Sequence, residues 1–179
     1  MTKVTGFCGS PRKNGNTAFL MRMILEKAAE KGFETEYISL NDADIGFCEA
    51  CDACRKSEKG CVKKDRMREL GEKMKDSGIW ILGTPVYWWG PTAQMKVFTD
   101  RWYGLPRETF RNKKVILVIP MEDTEEKTAS HVIGMYRDSL EYIGVEIADI
   151  VIAKGVQEAG AARFKQDVIE QAENAVNKI

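Results

Sequence analysis

The chain is predicted to be a doubly wound α/β protein: five parallel strands in the order 2-1-3-4-5, with helices on both faces of the sheet. Two observations predict this. Short apolar runs alternate with stretches of helical periodicity through 179 residues, a length that suits one domain. In addition, the first and third apolar runs each empty into a distinctive loop, which is where an open sheet of this order places its ligand.

Lys3–Cys8 (KVTGFC) is a short apolar run suited to a strand buried on both faces. Gly9 to Thr17 then packs turn formers, small polar side chains and two cations ahead of a helix beginning near Ala18. In that helix Phe19, Leu20, Met23, Ile24, Leu25 and Ala28 recur at helical spacing to about Lys31, and Gly32 stops it. Glu34–Leu40 alternates as a second strand. Residues 41–64 show little periodicity and hold four of the five cysteines, and a loop that long in a compact domain is usually functional.

Asp65 is placed to cap a helix to about Asp76, with Met67, Leu70 and Met74 facing inward. Gly78–Gly83 (GIWILG) is the central strand and leads into Thr84–Pro91. Helical periodicity resumes over Thr92–Tyr103, and Lys113–Ile119 is the fourth strand. The polar turn Pro120–Thr124, a helix over Glu126–Ile143, a fifth strand Val145–Ala153 and a closing helix Ala161–Asn177 complete one domain, 1–179.

With 27 basic and 27 acidic residues, net charge suggests neither nucleic acid nor an anionic membrane as a partner. No apolar run approaches membrane-spanning length and no basic, apolar leader precedes the first strand, so a soluble cytoplasmic protein is expected. Five cysteines in such a chain point to metal or redox chemistry before disulfides. The single histidine, His131, falls in a helix, and no hydrolase triad or zinc-protease helix is visible.

The Gly9–Thr17 loop can grip a phosphate through backbone N–H groups and the positive end of the following helix. Ser10, Asn14, Asn16 and Thr17 offer hydrogen bonds and Arg12 offers charge. It matches neither the nucleoside-triphosphate pattern, which would need Gly at 14 and Lys at 15, nor the dinucleotide pattern. A plain strand-to-helix turn capped by Asn16 or Thr17 is the alternative. Pro85, Val86, Tyr87, Trp88, Trp89 and Gly90 can hold a flat aromatic ring by stacking and backbone hydrogen bonds, or they can simply cover the core. Met121, Glu122 and Asp123 follow strand four on the same rim and are further candidates.

Cys48, Cys51, Cys54 and Cys61 form C-x2-C-x2-C-x6-C. Structural zinc sites usually separate two C-x2-C knuckles by a longer stretch, whereas three successive spacings of three resemble the run that wraps an iron–sulfur cubane. One [4Fe–4S] cluster, free thiols and zinc all stay open on spacing alone. Cys8, inside the first strand, reads as a core residue. Arg55, Lys56, Lys59, Lys63, Lys64 and Arg66, against Glu58 and Asp65, form a basic rim that can guide an acidic electron carrier such as ferredoxin, or can be a solvated face.

The pairing of Gly9-Ser10-Pro11-Arg12 and Gly15-Asn16-Thr17 with the segment from Pro85 to Lys96 and with Asp100-Arg101 resembles the NADPH-dependent FMN reductase group of flavodoxin-like proteins. The cysteine loop makes the chain similar, within that group, to the iron–sulfur flavoproteins. The resemblance implies a flavodoxin-like fold, FMN held by the two loops, one cluster on the cysteine quartet, and a homodimer or homotetramer. It further implies a flavin-dependent oxidoreductase passing electrons between a ferredoxin-like donor and the flavin. A cluster-free reductase using NAD(P)H, a flavodoxin-like carrier without enzymatic activity, and a thiol or zinc redox sensor are the alternatives.

Overall fold

The computed structural model describes residues 2–56 and 60–179. Its sheet has five parallel strands, β1 (Lys3–Cys8), β2 (Glu34–Ser39), β3 (Ile79–Gly83), β4 (Lys114–Pro120) and β5 (Glu146–Ala153), in the order β2-β1-β3-β4-β5. The predicted topology is therefore the observed one. Register runs from Val4 opposite Ile79 to Cys8 opposite Gly83, so β1 and β3 end together on one rim.

Side-chain alternation divides the core. Phe7, Trp80, Leu82, Val115, Leu117 and Ile119 face helices α3 (Met67–Asp76), α4 (Ala93–Asp100) and α5 (Ser130–Ile143). Val4, Cys8, Ile79, Ile81, Ile116 and Val118 face α1 (Asn16–Glu30) and α6 (Gln166–Ala175). Both faces are covered, which is why these strands are continuous apolar runs. Cys8 is buried as expected, and burial pushes its thiol pKa up.

A further short helix, α2 (Ala53–Lys56), lies within the cysteine loop. Helix α1 starts at Asn16, preceded by Gly15, and no side chain caps it. The Asn16 or Thr17 cap is thus not realised, because Asn16 has turned inward to other partners. The N-cap of α3 is Arg66, not Asp65, and makes no side-chain cap bond; Asp65, one residue earlier, accepts from the Met67 N–H, the first of the helix, at 3.1 Å. The segment read as one helix over Thr92–Tyr103 divides into α4 and a 3₁₀ turn, Arg101–Gly104. The tighter last turn is a common helix ending, and here it turns Arg101 into the protein. Similar 3₁₀ turns, Glu126–Ala129 and Ala161–Phe164, precede α5 and α6. Among the described residues no helix is long and apolar enough to cross a membrane.

Gly134, inside α5, has open space where a Cβ would stand. Gly134→Ala is expected to stabilise the fold by about 0.5–1 kcal/mol, since alanine loses less backbone freedom in a helix. A rise of the urea midpoint at unchanged slope checks it.

Candidate functional site

Where β1 and β3 end, a chain of hydrogen bonds ties their loops together. The Gly9 N–H donates to the Gly83 carbonyl at 2.7 Å, and the Thr92 hydroxyl donates to the Gly9 carbonyl at 2.7 Å. The Thr92 N–H donates to Thr84 Oγ1 at 3.0 Å, and the Thr84 N–H to the Val118 carbonyl at 3.0 Å. Thr92 also caps α4, accepting from the Met95 N–H. A cleft of ≈ 330 Å³ opens above this seam, within the size range of ligand sites. Ser10, Arg12, Asn16 and Thr17 from the loop after β1, Pro85, Val86, Tyr87 and Trp88 from the loop after β3, and Met121 and Glu122 from the loop after β4 line it.

The two loops that the sequence singled out therefore meet in one cleft, with two qualifications. Asn14 is exposed and does not line it. Asn16 lines it, but its amide donates to the Val156 and Glu158 carbonyls and accepts from the Ala162 N–H, all at 2.9–3.1 Å. That side chain tethers the last loop, and only its backbone N–H, in the first turn of α1, is left for a ligand. Arg12 reaches across to the Gln157 carbonyl at 3.0 Å.

The aromatic segment is a reversed two-residue turn. Tyr87 and Gly90 exchange N–H···O bonds at 2.9 and 3.0 Å, and Trp88 and Trp89 between them have φ of +47° and +58°. Such a turn favours Asn-Gly, because a Cβ in the left-handed region costs roughly 1–2 kcal/mol per residue. Two strained tryptophans, 92% and 53% exposed, are held out into solvent rather than over the core. Backbone strain of this kind clusters at functional sites. Trp88, Trp89, Met121, Glu122 and Asp123 line an adjoining hollow of ≈ 460 Å³. The Asp123 carboxylate accepts from the Glu125 N–H and the Thr128 hydroxyl, which hold its pKa below the usual value.

Cys48, Cys51, Cys54 and Cys61 are all unpaired and line a second, apolar concavity. Ala50 and Asp52, on either side of Cys51, have φ of +52° and +55°, which turns the backbone around the thiols. Gly104 forms the floor: a Cβ there would stand 3.4 Å from Cys61 Cβ and 3.7 Å from Cys54 Sγ. Among the described residues, no three His, Cys, Asp or Glu side chains converge around a single metal ion. The thiols surround a space and do not meet at a point.

Arg101 anchors this pocket. It is 3% exposed, donates to both carboxylate oxygens of Asp65 at 2.5 and 3.1 Å, to the Gly46 carbonyl at 2.6 Å and to Cys61 Sγ at 3.4 Å. Burial would raise the Asp65 pKa, but the Arg101 hydrogen bonds and the Gly46 and Met67 N–H groups hold it below the usual value. Sequence reasoning gave Arg101 and Gly104 no such part; their signal is long-range, since they lie about 40 to 50 residues from the cysteines they face.

The rim charges are distributed unevenly. Lys63 pairs with Glu49 and Arg66 with Glu69, while Arg55 stacks over Tyr103. Lys63, Lys64, Arg68 and Lys75 border a groove beside Cys61, together with Val62, Leu105 and Pro106. Glu58 and Lys59 lie outside the described residues. Helix α4 joins the two places: Thr92 at its start belongs to the cleft seam, and Arg101 and Gly104 just past its end belong to the thiol pocket. Thr92 and Arg101 are nine positions apart, about 13 Å at a helical rise of about 1.5 Å each.

The family model for NADPH-dependent FMN reductase matches residues 2–149. An iron–sulfur flavoprotein of Methanocaldococcus jannaschii is 46% identical over 99 residues, 55% of this chain and 51% of that one. An iron–sulfur flavoprotein of Methanosarcina thermophila is 39% identical over 114 residues, 64% of this chain and 59% of that one. The chain thus spans about half the length of the curated relatives it matches. Among solved structures, an NAD(P)H:quinone oxidoreductase from Methanothermobacter marburgensis superposes with a TM-score of 0.76 at 17% identity, covering 97% of this chain and 94% of that one, a likeness of fold.

Proposed function

The chain belongs to the NADPH-dependent FMN reductase family, and from that premise we propose that it is an FMN-dependent oxidoreductase carrying one [4Fe–4S] cluster, which exchanges electrons between a ferredoxin-like carrier and the flavin. The observation that carries this reading is the spacing along α4: a cleft built from two rim loops at one end, and four unpaired thiols around one concavity at the other. When bound, the flavin would pass electrons singly or in pairs and the cluster singly.

The residues suit these groups. Ser10, Arg12, Thr17 and the first-turn N–H groups of α1 would take the FMN phosphate, and the turn from Pro85 to Gly90, with Trp88 and Trp89, would hold the ring against Met121 and Glu122. Four thiols spread around an apolar space, with a glycine floor that a side chain would fill, suit a polynuclear group better than a single zinc ion, whose four sulfurs would all sit about 2.3 Å from one point. The groove bordered by Lys63, Lys64, Arg68 and Lys75 supports a carrier with an acidic face. A homodimer or homotetramer remains part of this proposal.

The second reading is a cluster-free reductase drawing on NAD(P)H. It is supported by the family model for NADPH-dependent FMN reductase and by the fold shared with the Methanothermobacter marburgensis enzyme. Anaerobically prepared protein decides between them: bound FMN with about four iron and four sulfide per chain is expected. Cys51→Ala should remove iron and sulfide while FMN stays bound. Flavin alone, with rapid NADPH oxidation, would establish the second reading instead.

A further inference from the structure

We propose that Arg101 is a positioning residue for the fourth sulfur ligand: its guanidinium, locked by Asp65 and the Gly46 carbonyl, donates to the Cys61 sulfur, sets that ligand in place and raises the reduction potential of the metal–sulfur group held there. The part concerning potential rests on the cluster reading above; the part concerning the seat of Cys61 stands on the metal-free chain.

The geometry is over-determined. Arg101 leaves the end of α4 in a 3₁₀ turn and meets three separate pieces of the cysteine region, at Gly46, Cys61 and Asp65. Asp65 is fixed in turn, accepting from the Gly46 N–H at 3.0 Å and the Met67 N–H at 3.1 Å while its side chain is 10% exposed. A planar guanidinium can serve a carboxylate, a carbonyl and a sulfur together, because its donors point outward in a fixed fork.

The other charges on the pocket wall are engaged elsewhere. Lys63 pairs with Glu49, Asp100 pairs with Lys96, and Asp52 accepts from the Tyr103 hydroxyl. Among the described residues, Arg101 makes the one hydrogen bond to any of the four sulfurs. Asp65 cancels most of its charge at a distance, so what reaches the exposed Cys61 is a short-range N–H donor from a guanidinium that is itself 3% exposed. Hydrogen bonds to cluster sulfurs stabilise the more negative, reduced state.

Arg101→Lys keeps a cation for Asp65 but offers one point donor, which cannot reach all three partners. In holoprotein retaining iron and sulfide, the reduced-to-oxidised ratio at fixed ambient potential is expected to fall about tenfold, equivalent to about 59 mV for one electron. Asp65→Asn leaves the Arg101 charge uncancelled and is expected to move the ratio the other way. A merely structural role would move both in the same direction or neither, and either result overturns the tuning. Conversion of Arg101→Lys to a three-iron cluster, seen by electron paramagnetic resonance, would support the seat, since Cys61 would then be the ligand released.

In the metal-free chain, the guanidinium ¹⁵N–¹H resonances of Arg101 should shift on Cys61→Ala and not on Cys48→Ala. Unmoved resonances overturn the seat whatever the iron content. Wild-type protein without iron would instead remove the cluster reading and leave this resonance test standing.

Discussion

Replacing Trp88-Trp89 by Asn-Gly is expected to raise the melting temperature of the flavin-free protein while weakening FMN binding at least tenfold. Both tryptophans occupy left-handed backbone, at φ +47° and +58°, in a turn whose preferred pair is Asn-Gly. Relief of about 1–2 kcal/mol of strain per residue is offset by the extra unfolded-state freedom of glycine, roughly 0.5–1 kcal/mol. Little packing is lost, because the indoles are 92% and 53% exposed. A net gain of about 1 kcal/mol corresponds to roughly 2–4 °C in a chain of this size.

Affinity should move the opposite way. Each stacking contact is worth about 0.5–1.5 kcal/mol beyond burial, so losing two indoles costs about 1.4 kcal/mol or more, a factor of ten in Kd. Calorimetry of the flavin-free variant and fluorescence titration with FMN check both halves. A lower melting temperature with unchanged FMN affinity would mean that the tryptophans cover the fold and serve no ligand.

Gly9→Ala is expected to cost about 2–3 kcal/mol and to abolish FMN retention during gel filtration. A Cβ at position 9 would stand 2.6 Å from Met95 Cβ and 2.9 Å from Thr92 Oγ1. Met95 Cβ is bonded directly to the α4 backbone, so no side-chain rotation moves it, and Met95 is fully buried, so the helix itself would have to move. Overpacking of this kind typically costs about 1–3 kcal/mol. Moving α4 also breaks the Thr92–Gly9 bond that closes the cleft seam, which is why ligand binding should fail together with stability. A urea titration set beside Gly134→Ala, expected to stabilise, measures the contrast; a variant as stable and as tight for FMN as the parent would show that the seam tolerates separation.

The strands and their order were legible because each side of the sheet is covered by helices, leaving Lys3–Cys8, Ile79–Gly83 and Lys114–Pro120 as apolar runs between turn signals. The two loops of the cleft were legible for a related reason. Turn chemistry at Gly9–Thr17 and two prolines around Tyr87-Trp88-Trp89 are local signals, and the sheet order brings local signals at the ends of β1 and β3 together. The cysteine spacing was equally local.

What each polar side chain does was decided elsewhere. Asn16 looked like a ligand and is spent on Val156, Glu158 and Ala162, 140 or more residues away. Arg101 looked like part of a helix and became the hub of the thiol pocket, because a 3₁₀ ending turns it inward to Asp65 and Cys61. The amino-acid sequence by itself determined which segments are strands and helices and which loops carry chemistry, since periodicity and turn propensity act over a few neighbouring residues. Only the tertiary structure decided the partners of Asn16 and Arg101 and the outward aim of the two indoles. A buried hydrogen bond is satisfied by whatever donor or acceptor the fold carries within about 3 Å, however far away it lies in the chain.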